Sequence, residues 1–141
     1  MKNIARSAIV EHSAQEMYGL VENIEAYPDF LPWCKAAEVL ERTPERTRAT
    51  LTVGVSGITH AFTTRNDNRP GEAIAMHLES GPFKRFEGLW RFTALAPDAC
   101  RIEFSLEYEF ASRTLGRVLA PLFDGIADSM VDAFVRRAAQ A

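Results

Sequence analysis

The last stretch of the chain, from about Arg113 to the end, sets the strongest limit on what it can fold into. Leu115, Val118, Leu119, Leu122, Phe123, Ile126, Met130, Val131, Phe134 and Val135 recur there at helical spacing, while Arg117, Asp124, Asp128, Asp132 and Arg136 form a narrower polar stripe. So broad an apolar arc needs a large surface to cover it, and the chain ahead of it offers a curved sheet. Ser112 suits the N-cap position, and Pro121 predicts a kink near Arg117 to Pro121 because it removes an internal hydrogen bond. Gly116 and Gly125 lower helix propensity further. These interruptions either fit the helix to the sheet's curvature or form a hinge that lets it move when a ligand enters.

From Lys35 to Phe110 the sequence reads as six strands: Lys35 to Arg42, Thr47 to Val55, Ile58 to Asn66, Ala73 to Glu79, Phe83 to Thr93 and Cys100 to Phe110. Turn residues separate them at Pro44-Glu45, Ser56-Gly57, Asp67-Asn68-Arg69-Pro70-Gly71, Ser80-Gly81-Pro82 and Ala96-Pro97-Asp98. Connections this short make hairpins, not crossover helices, so an antiparallel meander is predicted. In the sixth strand Cys100, Ile102, Phe104, Leu106, Tyr108 and Phe110 alternate with Arg101, Glu103, Ser105, Glu107 and Glu109, one face buried and the other wet. Phe86, Gly88, Trp90 and Phe92 share a face in the fifth, where Gly88 marks a bend or a close approach by something bulky.

Ahead of the meander, Ile4 to Val10 reads as a first strand, although Arg6 interrupts its apolar face. Ser13-Ala14-Gln15-Glu16 fits a capping box, and Met17, Leu20, Val21 and Ile24 supply a stripe, predicting a helix from Ala14 to Ala26 stopped by Pro28. The segment Tyr27-Pro28-Asp29-Phe30-Leu31-Pro32-Trp33-Cys34 is rigid and greasy, with Pro28 placed to open a short helical turn and Pro32 to end it. It is either a plug closing one end of the core or a gate that touches a ligand or partner.

At 141 residues, 47% hydrophobic and 25% charged, residues 1-141 suit one domain. A net charge of -3 argues against sequence-specific nucleic-acid binding. Met1-Lys2-Asn3-Ile4 is not followed by the apolar run of a signal peptide, so a cytoplasmic location is expected, at most peripheral to the inner membrane. The final helix carries Arg117, Asp124 and Asp128 where a spanning helix would meet lipid. Cys34 and Cys100 read as small buried thiols.

No catalytic constellation emerges. Gly54-Val55-Ser56-Gly57 is not a nucleophile elbow, because Ile58 stands where the closing glycine belongs. His12, His60 and His77 are isolated, so no metal site is expected, and most carboxylates fall on wet faces. A non-enzymatic protein needing no cofactor is the expectation. What stands out is apolar capacity: a sheet curved round a helix leaves room for a pocket. An empty void of about 300 Å³ would cost on the order of 7 kcal/mol at about 24 cal/mol per Å³. Such space must be collapsed, wet or occupied by something greasy.

The order strand, helix, short helix, six-stranded meander and long helix, with the Tyr27-to-Cys34 segment, Gly81-Pro82-Phe83-Lys84 and Gly88-Leu89-Trp90-Arg91-Phe92, resembles the coenzyme Q-binding START-domain family. Its bacterial branch is also described as ribosome association toxins, within the polyketide cyclase/START-like superfamily. The resemblance implies an α+β, START-like helix-grip fold, a curved seven-stranded antiparallel sheet wrapped around a long C-terminal helix, with two short helices between strands 1 and 2. Phe86 departs from it, since leucine is expected there, and the chain ends soon after Arg136-Arg137, which weakens the expectation of a tail-mediated ribosome contact.

Three functions follow from that resemblance and the apolar faces. The first is non-catalytic binding or chaperoning of a hydrophobic small molecule, a polyprenyl quinone such as ubiquinone or another isoprenoid lipid, in support of respiration, with transient contact at a membrane surface. Its candidate ligand-binding residues are Phe30, Leu31, Trp33, Leu51, Val53, Phe62, Met76, Phe83, Phe86, Trp90, Phe104, Tyr108, Leu122 and Ile126. Tyr108 would meet a quinone oxygen, with His60 or Thr64 as weaker candidates. The second is a toxin-like protein that binds the large ribosomal subunit and hinders subunit association, through Arg42, Arg46 and Arg48 or Lys84 and Arg85. The third is a polyketide cyclase or aromatase, which needs a general acid or base in the cavity.

Overall fold

A computed structural model describes residues 2–55 and 58–140. In chain order they form β1 (Lys2–Val10), α1 (Ala14–Glu22), a 3₁₀ turn (Ile24–Ala26), α2 (Tyr27–Phe30), β2 (Cys34–Arg42), β3 (Arg46–Val55), β4 (Ile58–Arg69), β5 (Ala73–Ser80), β6 (Phe83–Ala96), β7 (Ala99–Phe110) and α3 (Arg113–Gln140). The seven strands make one sheet in the order β1-β7-β6-β5-β4-β3-β2, every neighbouring pair antiparallel. This is the predicted meander, closed on one side by the return of β1 to pair with β7. The predicted turn at Ser56-Gly57 lies outside the described residues.

Local chemistry explains most boundaries. The Glu16 amide donates to the Ser13 hydroxyl oxygen at 3.1 Å, so α1 starts at the Ser13 cap, while the Glu16 carboxylate meets His12 Nδ1 at 3.0 Å and leaves the second half of the predicted capping box unmade. The predicted helix to Ala26 ends early, because Asn23 leaves helical geometry (φ -78°, ψ 67°) and the chain tightens into the 3₁₀ turn. Asparagine competes for the backbone with its own side chain and is a poor interior helix residue. Pro28 sits in the first turn of α2, where its missing N–H costs nothing. The Leu115 amide donates to Ser112 Oγ at 3.2 Å, capping α3 as its sequence predicts.

Two departures matter for the site. First, β4 continues to Arg69, so Asp67, Asn68 and Arg69 are strand and not turn, and only 70–72 reverse the chain. Second, the β6–β7 register slips between Phe83 and Arg85, and this bulge turns both Phe83 and Phe86 to the inner face although three positions separate them. Helix α3, about 42 Å long at 1.5 Å per residue, packs against β1, β7 and α1 and runs unbroken through Pro121. Arg6, which interrupts the apolar pattern of β1, faces inward opposite Phe104 and reaches Asp128 of α3 at 2.5 Å. The helix's acidic stripe is thereby tied to the edge strand.

Candidate functional site

The inner face of the sheet is built in rows by its register. Phe86 pairs with Tyr108, Gly88 with Leu106, Trp90 with Phe104 and Phe92 with Ile102, while Leu51 pairs with Phe62, Ala49 with Thr64 and Thr47 with Asn66. Aromatic rings gather at two ends of this face. Phe83 lies 4.9 Å from Phe123 of α3, 5.1 Å from Phe86, 5.3 Å from Phe110 and 5.8 Å from Phe62, centroid to centroid. At the other end Phe134 of α3 stands 5.3 Å from Phe30, 5.4 Å from Trp90 and 5.5 Å from Tyr27. Between them Met76 lies across Gly88, whose missing side chain makes the space that the thioether methyl fills. Gly88 is thus the close approach its place in the strand suggests.

Of the predicted ligand-binding residues, Leu31, Val53, Phe62, Phe83, Phe86, Trp90, Phe104, Tyr108 and Ile126 are buried, and Phe30, Trp33, Leu51, Met76 and Leu122 are half-buried around them. All pack into one apolar cluster. Phe30, Leu31 and Trp33 also line a groove of about 390 Å³ against Ser129, Ala133, Arg136 and Arg137, at the far end of α3. The Arg137 guanidinium lies 4.9 Å over the Phe30 ring. Three rings central to the clusters, Phe110, Phe123 and Phe134, are absent from the predicted set, although each lies on an apolar face that the sequence periodicity defines.

The polar groups facing inward are few and largely committed. Tyr108 donates its hydroxyl hydrogen to Asp124 Oδ1, with Lys2 Nζ 4.0 Å from Asp124 Oδ2. Burial and then the adjacent carboxylate push the Tyr108 phenol up, so it stays neutral and offers a ligand only its acceptor side while that bond holds. Thr64 is buried and His60 half-buried on the inner face of β4. Tyr27 donates to the Val21 carbonyl, and burial raises its phenol too. Cys34 and Cys100 are free and buried, and desolvation pushes the Cys34 thiol up to about 11.

One polar group of residues was not foreseen from the sequence. Along the inner face of β4, Phe62, Thr64, Asn66 and Asn68 are all buried, so the face changes from aromatic to amide within seven residues. Asn68 Nδ2 donates to Thr47 Oγ1 at 3.0 Å, and Thr47 donates to Glu22 Oε1 at 3.1 Å. Arg42 then grips Glu22 through Nε at 2.8 Å and Glu25 through Nη1 at 2.5 Å and Nη2 at 2.8 Å. Reading Asp67 and Asn68 as turn residues hid this group, because the same period of two that marks Phe62 continues to Asn68.

The basic clusters are mostly engaged. Arg48 binds Glu79 at 2.6 Å, Lys84 reaches Glu109 at 3.6 Å, and Arg85 lies 3.6 Å from Glu107 and 3.7 Å from Glu87. Among the described residues no group of three metal-ligating side chains gathers, and no helix is long and apolar enough to cross a membrane.

Comparison with known proteins agrees with this architecture. The family described as polyketide cyclase / dehydrase and lipid transport matches residues 10–135. The ribosome association toxin RatA of Pseudomonas aeruginosa is 44% identical over 138 residues, covering 98% of this chain and 96% of that protein. The mitochondrial coenzyme Q-binding protein COQ10 homolog B of Xenopus laevis is 28% identical over 95% of this chain and 57% of its own length. A solved START superfamily protein from Mycobacterium smegmatis superposes with a TM-score of 0.79 at 25% identity, covering 98% of this chain and 97% of that one. With a matching seven-stranded sheet, a long closing helix and relatives that align almost end to end, the chain belongs to the polyketide cyclase / dehydrase and lipid transport family, START-like in fold.

Proposed function

We propose that this chain binds, without chemical change, a hydrophobic ligand of the polyprenyl quinone type, ubiquinone being the leading candidate, in support of respiration, with residues 1-141 acting as one lipid-binding domain. The observation that carries this reading is the inner face itself, a continuous run of aromatic and aliphatic side chains between sheet and α3. Burial contributes about 0.8 kcal/mol per CH₂, so an isoprenoid tail would supply most of the affinity. The rings now touch one another, so entry requires Phe123 and the first half of α3, or the Met76 side chain, to give way. The likeness to a coenzyme Q-binding protein supports the same ligand class. Cargo of this kind is exchanged at a membrane surface, and the rim of Phe30, Pro32 and Trp33 beside Arg136 and Arg137 suits transient contact there. The test is mass spectrometry of an organic extract of the purified protein, with titration of a short-chain quinone followed by Trp33 and Trp90 fluorescence. Quinone in the extract and saturable quenching are expected; neither being seen would overturn the reading.

A second reading, binding to the large ribosomal subunit so as to hinder subunit association, is favoured by the name of the relative at 44% identity. Its electrostatic basis is narrow, because Arg42, Arg48, Lys84 and Arg85 already face carboxylates. Co-sedimentation that disappears at moderate salt would support it, and none at low salt would refute it. Cyclase chemistry requires a free acid or base in the interior, whereas the Tyr108 proton is held by Asp124.

A further inference from the structure

The asparagines of β4 carry information about the ligand that the apolar face does not. Asn66 and Asn68 are 6% and 7% exposed, and the Oδ1 atom of each is buried with no hydrogen-bond partner. The orientation of the Asn68 amide follows from its neighbours. Arg42 pairs with Glu22, which marks Glu22 as a carboxylate that can only accept; Thr47 therefore spends its one hydrogen on Glu22 and can only accept from Asn68. Asn68 must present its NH₂ group to Thr47, and its carbonyl oxygen is left facing away from that chain of bonds. Two consecutive inward positions on one strand lie roughly 7 Å apart along the backbone, so one ring-sized head can lie over both amides.

An opening borders the outer of the two residues, and Asn66 lies behind it on the same face. Asn68 lines a pocket of about 340 Å³ with Tyr18, Glu22, Arg42, Thr43 and Pro70. From that opening the inner face of β4 runs from Asn68 and Asn66 through Thr64 to Phe62 and the ring cluster on α3, polar at one end and aromatic at the other. An amphiphile lying along it has its direction fixed, with the head at the asparagines and the tail toward Phe123.

Resting on the quinone-type reading above, we propose that Asn66 and Asn68 form a head-group subsite that selects a ligand head able to donate hydrogen bonds, a hydroquinone or similar phenol, over one that can only accept. An oxidised quinone, which can only accept, leaves both buried amide oxygens without a donor. The hydroquinone brings an O–H to each amide oxygen.

The test is calorimetric titration of the full chain, under argon, with a decyl-substituted benzoquinone and with its hydroquinone kept reduced by ascorbate. The hydroquinone is expected to bind at least about tenfold tighter, the discrimination a site shows when its buried polar groups are left unpaired. Asn68→Leu and Asn66→Leu, each checked for an intact thermal transition, should bring the two forms within about twofold by weakening the hydroquinone alone. Should either leucine variant fail to fold, Asn66→Ser, which shortens the acceptor's reach, should narrow the ratio in the same direction. Equal binding of both forms to the wild type, or a preference the variants leave intact, overturns the head-group assignment while leaving the quinone reading in place. If neither form binds, the quinone reading fails and the subsite with it.

Discussion

Single residues in this fold carry consequences that geometry makes countable. Gly81 has φ +152°, and a Cβ built on it would stand 2.6 Å from the Phe62 Cβ, an atom that cannot swing aside. Gly81→Ala should therefore cost about 1–3 kcal/mol, seen as a lowered midpoint in urea without a change in slope, and should disturb Phe62 at the edge of the aromatic cluster. Arg42 makes a prediction about pH. Its hydrogen bonds hold the Glu25 carboxyl below the usual carboxylate range, so the pair's contribution is present above the unfolded carboxylate pKa and is lost as pH falls through the lower folded one. Glu25 is half exposed, and screening limits that pair to below about 1 kcal/mol. Arg42→Met should thus lower the melting temperature by several degrees at pH 7, and the gap between variant and wild type should narrow as pH is taken from about 5 to 3. A gap that stays constant would mean Arg42 acts by packing alone.

At the scale of elements, α3 is where the sequence says most and where motion is predicted. Gly125 has open space where a Cβ would be, so Gly125→Ala should raise stability by about 0.5–1 kcal/mol. Pro121 is exposed inside the helix and deprives the Arg117 carbonyl of its donor, so Pro121→Ala should raise stability by more, up to about 3 kcal/mol. The two differ in position: Pro121 lies before Phe123, whose displacement is one of the two ways a tail can enter. Stopped-flow release of a bound quinone should slow severalfold in Pro121→Ala and little in Gly125→Ala, and equal release rates would return Pro121 to a structural role. The helix, its cap at Ser112 and the alternating strands were readable in advance because burial imposes periods of 3.6 and 2 on the residues that carry it. The end of β4 was not, since Asp67-Asn68-Arg69-Pro70-Gly71 has turn composition and only pairing with β3 and β5 makes its first three residues strand. The bulge at Lys84 was hidden for a similar reason: Phe83 and Phe86 contradict a period of two until the register slips. The apolar half of the site was therefore legible from side-chain pattern, and the polar half was not, because it depends on which strands meet.

For the whole molecule, the distribution of charge decides what it can approach. The chain carries a net charge of -3, and the basic clusters of β2, β3 and β6 largely face carboxylates across the sheet or on α1 and its 3₁₀ turn. Lys35 and Arg136, by contrast, have no carboxylate within 4 Å among the described residues, and Arg137 rests on Phe30. Arg136 and Arg137 line the groove where Phe30, Pro32 and Trp33 come to the surface, and Lys35 donates to the Pro32 carbonyl beside it, which joins charge to apolar contact at one end of the fold. An anionic surface attracts each basic residue near it by about 1 kcal/mol at most, and salt screens that attraction within a Debye length of about 10 Å at 0.1 M. Arg136→Glu with Arg137→Glu should therefore reduce flotation with vesicles rich in anionic lipid by tenfold or more, and raising salt should do the same to the wild type. Lys84→Glu with Arg85→Glu, a change of equal net charge on β6, should have a much smaller effect, because that end of β6 packs by Phe123 in the first half of α3, away from the groove. Were both double variants to lose binding equally, net charge and not this rim would govern the contact. Repeating the comparison with large ribosomal subunits separates the two functional readings on the same surface: a lipid carrier needs the rim for vesicles, whereas a ribosome-directed protein would lose subunit binding through whichever cations the rRNA meets.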